Sequence, residues 1–225
     1  MKRWHLCTAV LFLLFLMTAA MTTVMTTASA AHSSRRHRNE HQGSQPGVFD
    51  YYLFTLSWSP EFCHSHADKP ECQSGHHGFV VHGLWPQFVD GYPENCSRKP
   101  GLADPSSMSD LMPDPGLVDH EWTTHGTCSG LDPGHYFEQI RQAFASIKIP
   151  ARLAAPAHPF SMTPEEIKQE FLQSNSSLKM EDLTVSCGNN YLTAVSVCMT
   201  KSLEPAPCQG LRDCRANTIR VTPVR

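Results

Sequence analysis

The sequence predicts a single α+β domain, in which helices flank a central, mostly antiparallel sheet and four disulfides cross-link the chain. Three observations predict this fold class: strand-like runs of alternating or β-branched residues, two capped stretches with apolar residues at helical spacing, and an even number of cysteines behind an apolar leader. The 225 residues contain no internal repeat, and their number suits one domain with a sizeable core.

The first thirty residues have the pattern of a signal peptide. Lys2 and Arg3 precede an apolar run, and the small residues at 28–30 resemble a signal-peptidase site. The apolar run is too short for a permanent membrane span, and no later segment is long enough either. We therefore expect a signal peptide over 1–30, a flexible basic arm over 31–48 and one folded domain over 49–225. The mature protein is then secreted or periplasmic, with no membrane partner.

The first half of the domain predicts two strands and two loops. Residues 51–58 alternate in the manner of a strand, which the following Ser-Pro pair ends. Residues 63–77 are polar and rich in histidine, so we expect a loop there. Residues 79–81 form a second strand-like run, and residues 87–116, rich in Pro, Gly, Asp and Ser, predict a long loop of the kind that is often functional.

The second half predicts two helices and three strands. Asp132 followed by proline forms an N-cap, and apolar residues continue at helical spacing to Ile147. A capping box at 163–166 opens the second helix. The remaining β-branched runs predict strands at 183–187, 191–199 and 218–221.

Cysteine usage indicates an oxidising compartment. Cys7 leaves with the leader, and an even number of cysteines remains, which predicts four disulfides. None of these cysteines forms a Cys-x-x-Cys pair, which argues against a zinc ribbon or a thioredoxin-type centre. Spacing alone leaves the connectivity open.

The charge argues against a protein that holds nucleic acid by backbone attraction alone. The chain has 18 Lys and Arg against 21 Asp and Glu, a net charge of −3 that becomes −5 without Lys2 and Arg3. Its 13 histidines, however, gain charge below neutral pH while most carboxylates stay ionised. This composition favours an acidic working pH.

Two segments carry residues able to do chemistry: Phe79–Pro86, which contains His82, and His120–Cys128, which contains Glu121 and His125. The second segment differs from a zinc-protease helix because its histidines lie five residues apart rather than four. On a helix their imidazoles would point about 140° apart. A helical zinc site is therefore disfavoured, although a zinc site that also uses His82 remains an alternative.

Three histidines and a glutamate suit phosphodiester transfer within RNA. The substrate supplies its own nucleophile, the 2′-hydroxyl, which already lies beside the phosphorus. The protein then has to remove one proton, donate another and stabilise a charged phosphorane, and imidazoles perform both proton transfers near neutrality. No metal or other cofactor is needed for this chemistry.

At these residues the sequence resembles the ribonuclease T2 family of acid ribonucleases. The matching blocks are Val81–Pro86 and His120–Cys128, and the strand at 50–58, the helix at 163 and the cysteine-rich C-terminal region are also similar. The resemblance implies an α+β fold and a ribonuclease domain over 49–225. It also implies endonucleolytic cleavage of single-stranded RNA through a 2′,3′-cyclic phosphate, with little base specificity.

The resemblance further implies the roles of individual residues. His125 becomes the general base and His82 the general acid, while His120 and Glu121 contact the phosphate and help the transition state. We expect RNA as the partner, DNA to be left uncut and the protein to be a monomer.

Two aromatic residues and the disulfide pairs are also implied by the resemblance. Trp85, with Tyr92 as a weaker candidate, would stack on a base, because such stacking strengthens binding of single-stranded nucleic acid. The implied pairs are Cys63–Cys72, Cys96–Cys128, Cys187–Cys214 and Cys198–Cys208.

One residue departs from the family pattern. Thr124 stands where the family usually has a lysine, just before the general base. That lysine would supply positive charge to the phosphorane, so its absence predicts weaker transition-state stabilisation. This departure favours one alternative, a catalytically weak or silent RNA-binding relative; the zinc site that also uses His82 gives the other, a zinc-dependent hydrolase.

Overall fold

The computed structural model describes residues 45–75 and 77–224. The predicted signal peptide and most of the predicted basic arm lie outside the described residues. The described part begins at Gln45, and the backbone N–H of Gly47 donates a hydrogen bond to the carbonyl of Cys128 at 2.9 Å. None of the helices within these ranges is long and apolar enough to cross a membrane.

Strands and helices are interspersed along the described chain. In order they are β1 Tyr51–Trp58, α1 Ser59–Ser65, α2 Pro70–Gln73, β2 Phe79–Gln87, α3 Pro115–Thr124, α4 Pro133–Ser146, α5 Ala151–Ala154, β3 Phe160–Met162, α6 Pro164–Ser174, β4 Leu183–Gly188, β5 Tyr191–Met199 and β6 Ile219–Val221. Short 3₁₀ turns lie at Pro105–Met108, Gly126–Cys128 and Met180–Asp182.

One sheet contains all six of these strands. Its order is β2-β1-β5-β6-β3, with β4 paired to β5 outside this path. Every pairing is antiparallel except a short parallel one between β5 and β6. The prediction of a mostly antiparallel sheet flanked by helices is therefore confirmed.

The core forms where α4 and α6 cover the sheet. α4 buries Tyr136, Phe137 and Ile140, and α6 buries Ile167 and Phe171. Both helices begin at the predicted caps, since the side chain of their N-cap residue accepts a backbone hydrogen bond from the first turn. Burial of these apolar side chains is the main driving force that holds the helices on the sheet.

The loop predicted over 63–77 is wrong in part. α1 extends to Ser65, and α2 occupies four residues from Pro70. Each helix has a proline in its first turn, where the missing N–H costs nothing, and the polar composition concealed both. The short elements α5 and β3 were also not predicted.

Four disulfides join the pairs that the resemblance implied: Cys63–Cys72, Cys96–Cys128, Cys187–Cys214 and Cys198–Cys208. The first connects α1 to α2. The second attaches the long loop to the turn that follows α3, and the last two attach the C-terminal segment to β4 and β5.

Candidate active site

A bulge in β2 positions His82. The register of β1 and β2 places Thr55 opposite Gly83 and Leu56 opposite Val81, so His82 has no partner on β1. An extra residue of this kind bends the strand and changes the direction in which its side chain points. The His82 side chain remains 39% exposed, in contrast to its fully buried strand neighbours.

Helix α3 supplies the second group of residues. Asp114 caps its first turn by accepting from the N–H of Gly116, and Trp122 anchors the helix in the core. This packing buries Glu121 while leaving His120 exposed on the helix surface.

The ring separation predicted for a continuous helix is wrong. α3 ends at Thr124, and His125 caps it with φ −112° and ψ −48°. Because His125 lies beyond the helix, its ring turns back towards His120, and the two ring centroids lie 6.3 Å apart. The polar atoms of the His120, Glu121 and His125 side chains consequently lie within 4.8 Å of one another.

Trp85 connects the two groups of residues. Its indole N–H donates a 2.6 Å hydrogen bond to Glu121 Oε2, and its ring centroid lies 5.1 Å from that of His82 and 5.2 Å from that of His125. Glu121 Oε1 lies 3.6 Å from His82 Nε2. Both imidazoles thus pack against one indole, and the carboxyl group of Glu121 lies close to both of them.

Gly83 makes this close approach possible. A Cβ atom at position 83 would overlap both Glu121 Oε2 and Trp85 Nε1. Glycine is therefore required where the carboxyl group of α3 meets the backbone of β2. The sequence analysis did not identify this role, although the glycine directly follows the candidate acid.

Burial changes the protonation of the three central groups. Desolvation, together with the nearby His120 and His82, lowers the pKa of His125 to about 4. Desolvation and His120 also lower the pKa of His82 below its ordinary 6.5. The pKa of Glu121 rises to about 8, because its burial outweighs the hydrogen bond from Trp85. Glu121 is therefore uncharged at acidic and neutral pH.

We expect the free energy of unfolding to fall between pH 6.5 and 8. The pKa of Glu121 is 4.5 in the unfolded chain and about 8 in the folded protein. Between pH 6.5 and 8 the unfolded state therefore binds fewer protons than the folded state. Raising the pH across this range stabilises the unfolded state relative to the folded one. The lowered pKa of His125 stabilises the fold with rising pH only up to 6.5. The Glu121 contribution across 1.5 pH units is on the order of 2 kcal/mol.

Urea denaturation at pH 6.5 and 8 measures this change. The variant Glu121→Gln retains the shape of the side chain but does not titrate. Between the two pH values its free energy of unfolding should therefore fall less than that of the unaltered protein, and the difference should match the Glu121 contribution given above. An equal fall in both proteins would contradict the raised pKa.

His120, Glu121 and His125 are the described residues whose arrangement is able to hold a metal ion. Within the described residues, Glu121 Oε1 and His125 Nδ1 are buried without a hydrogen-bond partner. However, Glu121 Oε2 already accepts from Trp85, and a carboxyl group that ionises only near pH 8 is a poor ligand at lower pH. The cluster suits proton transfer better than metal binding.

Two other predicted positions lie outside this cluster. Tyr92 is 57% exposed in the loop after β2. Thr124 is half-buried at the end of α3, and its carbonyl accepts from the N–H of Asn95 at 2.8 Å. The structure brings His82, Trp85, Glu121 and the other two predicted histidines together; Tyr92 makes no ring contact with these residues.

Fold and site together define a disulfide-bonded α+β protein in which three histidines and a buried glutamate gather around one tryptophan. The family model described as the ribonuclease T2 family matches residues 49–208. The chain belongs to the ribonuclease T2 family.

A curated relative agrees with this assignment, and solved structures share the fold. A ribonuclease of Aeromonas hydrophila is 48% identical over 100 residues, which cover 43% of this chain and 45% of that protein, so the match spans less than half of the relative. An RNase-related protein from Calystegia sepium has the same fold, with a TM-score of 0.65 and 20% identity. The match covers 78% of this chain and 98% of that protein. RNase NT, solved in complex with 5′-AMP, also shares the fold. Its TM-score is 0.61 at 23% identity, and the match covers 78% of this chain and 99% of RNase NT.

Proposed function

We propose that this protein is a secreted or periplasmic endoribonuclease that cleaves single-stranded RNA without a metal, leaving a 2′,3′-cyclic phosphate. The observation that carries the proposal is that two imidazoles, His82 and His125, pack against the same indole of Trp85, with the buried Glu121 close to both. Family membership and the nucleotide bound to RNase NT support an RNA substrate.

The low pKa of His125 makes it the general base. With a pKa of about 4, its ring is neutral in mildly acidic solution and accepts the proton of the 2′-hydroxyl. The 2′ oxygen then forms a bond to phosphorus. Protonated His82 donates its Nε2 proton to the 5′ oxygen as the bond between phosphorus and that oxygen breaks. One proton enters the protein and one leaves it in each cleavage.

His120 and Glu121 stabilise the phosphorane between these two transfers. Neutral Glu121 has an O–H to donate to a non-bridging phosphate oxygen, because its pKa of about 8 keeps it protonated. His120 is exposed next to Glu121 and His125, where a ring N–H is able to donate a hydrogen bond to the phosphate.

The pH profile of cleavage tests the assignment of base and acid. We expect kcat/KM to rise with pH through about 4, as His125 loses its proton, and to fall above the lowered pKa of His82, below 6.5. The assay compares RNA with a DNA of matched sequence from pH 4 to 8, with and without EDTA. A peak in the acidic range, RNA cleavage unaffected by EDTA and intact DNA are the expected results.

The alternatives give different results in the same assay. Loss of cleavage with EDTA would select the zinc-dependent hydrolase. Binding of RNA without cleavage at any pH would select the catalytically silent relative, and either outcome would overturn the proposal.

Restoring the family lysine should increase turnover. Thr124→Lys adds positive charge one residue before the base, and we expect kcat to rise about two- to tenfold through better stabilisation of the phosphorane. Thr123→Lys is the matched control, since that exposed position points about 100° away around the helix. An unchanged rate in Thr124→Lys would indicate that another cation already performs this role.

A further inference from the structure

We propose that Ser57 is a positioning residue for the acid step: its hydroxyl accepts a hydrogen bond from Nδ1–H of His82 and so reserves Nε2 for proton donation to the substrate. This inference rests on the proposed function. Ser57 Oγ lies 2.8 Å from His82 Nδ1, and the opposite ring nitrogen, Nε2, is the one that faces Glu121.

The position of Ser57 in the sheet explains the contact. Ser57 lies near the end of β1, opposite Val80 on one side and Ala194 on the other. The bulge at His82 begins at the neighbouring rung of the same ladder. The extra residue therefore turns its ring back over β1, where the serine hydroxyl meets Nδ1. Within the described residues, Ser57 Oγ has no other hydrogen-bond partner.

The proton positions that an acid catalyst needs explain the role of an acceptor at Nδ1 of His82. Before the transfer, both ring nitrogens of His82 carry a proton; afterwards only Nδ1 does. An acceptor at Nδ1 stabilises the ring before and after the transfer, whereas the tautomer protonated at Nε2 cannot take up a new proton there. The hydrogen bond thus favours the neutral tautomer that is protonated at Nδ1, which is able to take up a new proton at Nε2 before the next cleavage.

A neutral acceptor has a further advantage over a carboxylate. A carboxylate at Nδ1 would stabilise the imidazolium and make His82 a weaker acid, as opposite charges raise the pKa of a histidine. A hydroxyl orients the ring without adding negative charge. This agrees with the lowered pKa of His82 and with donation in mildly acidic solution.

Several titratable groups lie near His82 and influence its pKa. Glu121, His120 and His125 belong to the site itself. A cavity of about 560 Å³ adjoins the ring and Ser57, and its titratable lining residues are His66, Lys69, Glu71 and Asp114. None of these groups contacts Nδ1 in the structure, where Ser57 is the partner.

The test combines kinetics with nitrogen-15 NMR of the His82 ring in the full-length protein. Ser57→Ala should reduce kcat for RNA about tenfold and leave KM nearly unchanged, because a single neutral hydrogen bond is lost. Its neutral ring should show a proton at Nε2 in place of Nδ1. Ser57→Thr retains the hydroxyl and should restore both properties. Ser57→Asp should move the alkaline limb of kcat/KM to higher pH.

Ser196→Ala is the matched control, since it removes a strand hydroxyl whose partner among the described residues is Thr55. Its kinetics and its His82 spectrum should equal those of the unaltered protein. A neutral His82 that keeps its proton at Nδ1 in Ser57→Ala would overturn the inference whatever the rates. Should the unaltered protein fail to cleave RNA, the proposed function alone fails, because the spectrum still reports the hydrogen bond.

Discussion

Replacing His82 or His125 with alanine is expected to reduce kcat/KM for RNA cleavage by about 10²–10⁴-fold, the range typical of lost acid–base catalysis. Each variant removes one of two proton transfers that must occur in the same displacement. In the proposed mechanism both residues act on one phosphate, so the double variant should lose far less than the product of the two single losses. Steady-state cleavage of a defined oligonucleotide measures the effect.

The two variants should also differ in their pH dependence. Without His125 the rise through about pH 4 should disappear, while without His82 the fall on the alkaline side should disappear. His135→Ala is the control, since His135 is an exposed histidine paired with Asp132 on α4. Near-normal rates in either site variant would rule out the assigned role of that residue.

Gly83→Ala should reduce kcat/KM about 10²-fold, although it adds a single methyl group. The new Cβ would occupy the space of Glu121 Oε2 and Trp85 Nε1, so the carboxyl group and the indole must move apart. A displacement of about 1 Å within a catalytic arrangement commonly has an effect of this size. The thermal midpoint should also fall, because Glu121 would be buried without its partner.

Gly188→Ala provides the comparison for Gly83→Ala. Gly188 ends a strand of the same sheet, and a Cβ there would make only an ordinary contact with Thr193. Its kinetics should remain normal. Full activity in Gly83→Ala would show that the hydrogen bond between Trp85 and Glu121 is dispensable.

Much of the fold could be predicted because local chemistry determines it. The alternation in β1 and the capping box of α6 are properties of neighbouring residues, and both elements formed where predicted. The helices α1 and α2 could not be predicted in this way. They are too short for a periodic pattern, and tertiary contacts with the sheet and a disulfide stabilise them.

The site was predictable by residue type but not by geometry. The two sequence blocks contain His82, His120, Glu121 and His125, and the structure brings all four together. The end of α3 before His125 and the partnership of Ser57 depend on how strands and helices pack. The protonation of Glu121 likewise follows from burial, which no local pattern records.

The position of β2 at the edge of the sheet has a consequence for how the site is held together. On its side away from β1, the N–H of Val81 donates to the carbonyl of Leu111 at 2.9 Å, just ahead of α3. This bond ties the strand that carries His82 to the approach of the helix that carries Glu121. Two halves of a reaction centre that are distant in sequence are thereby fastened together without a dedicated side chain.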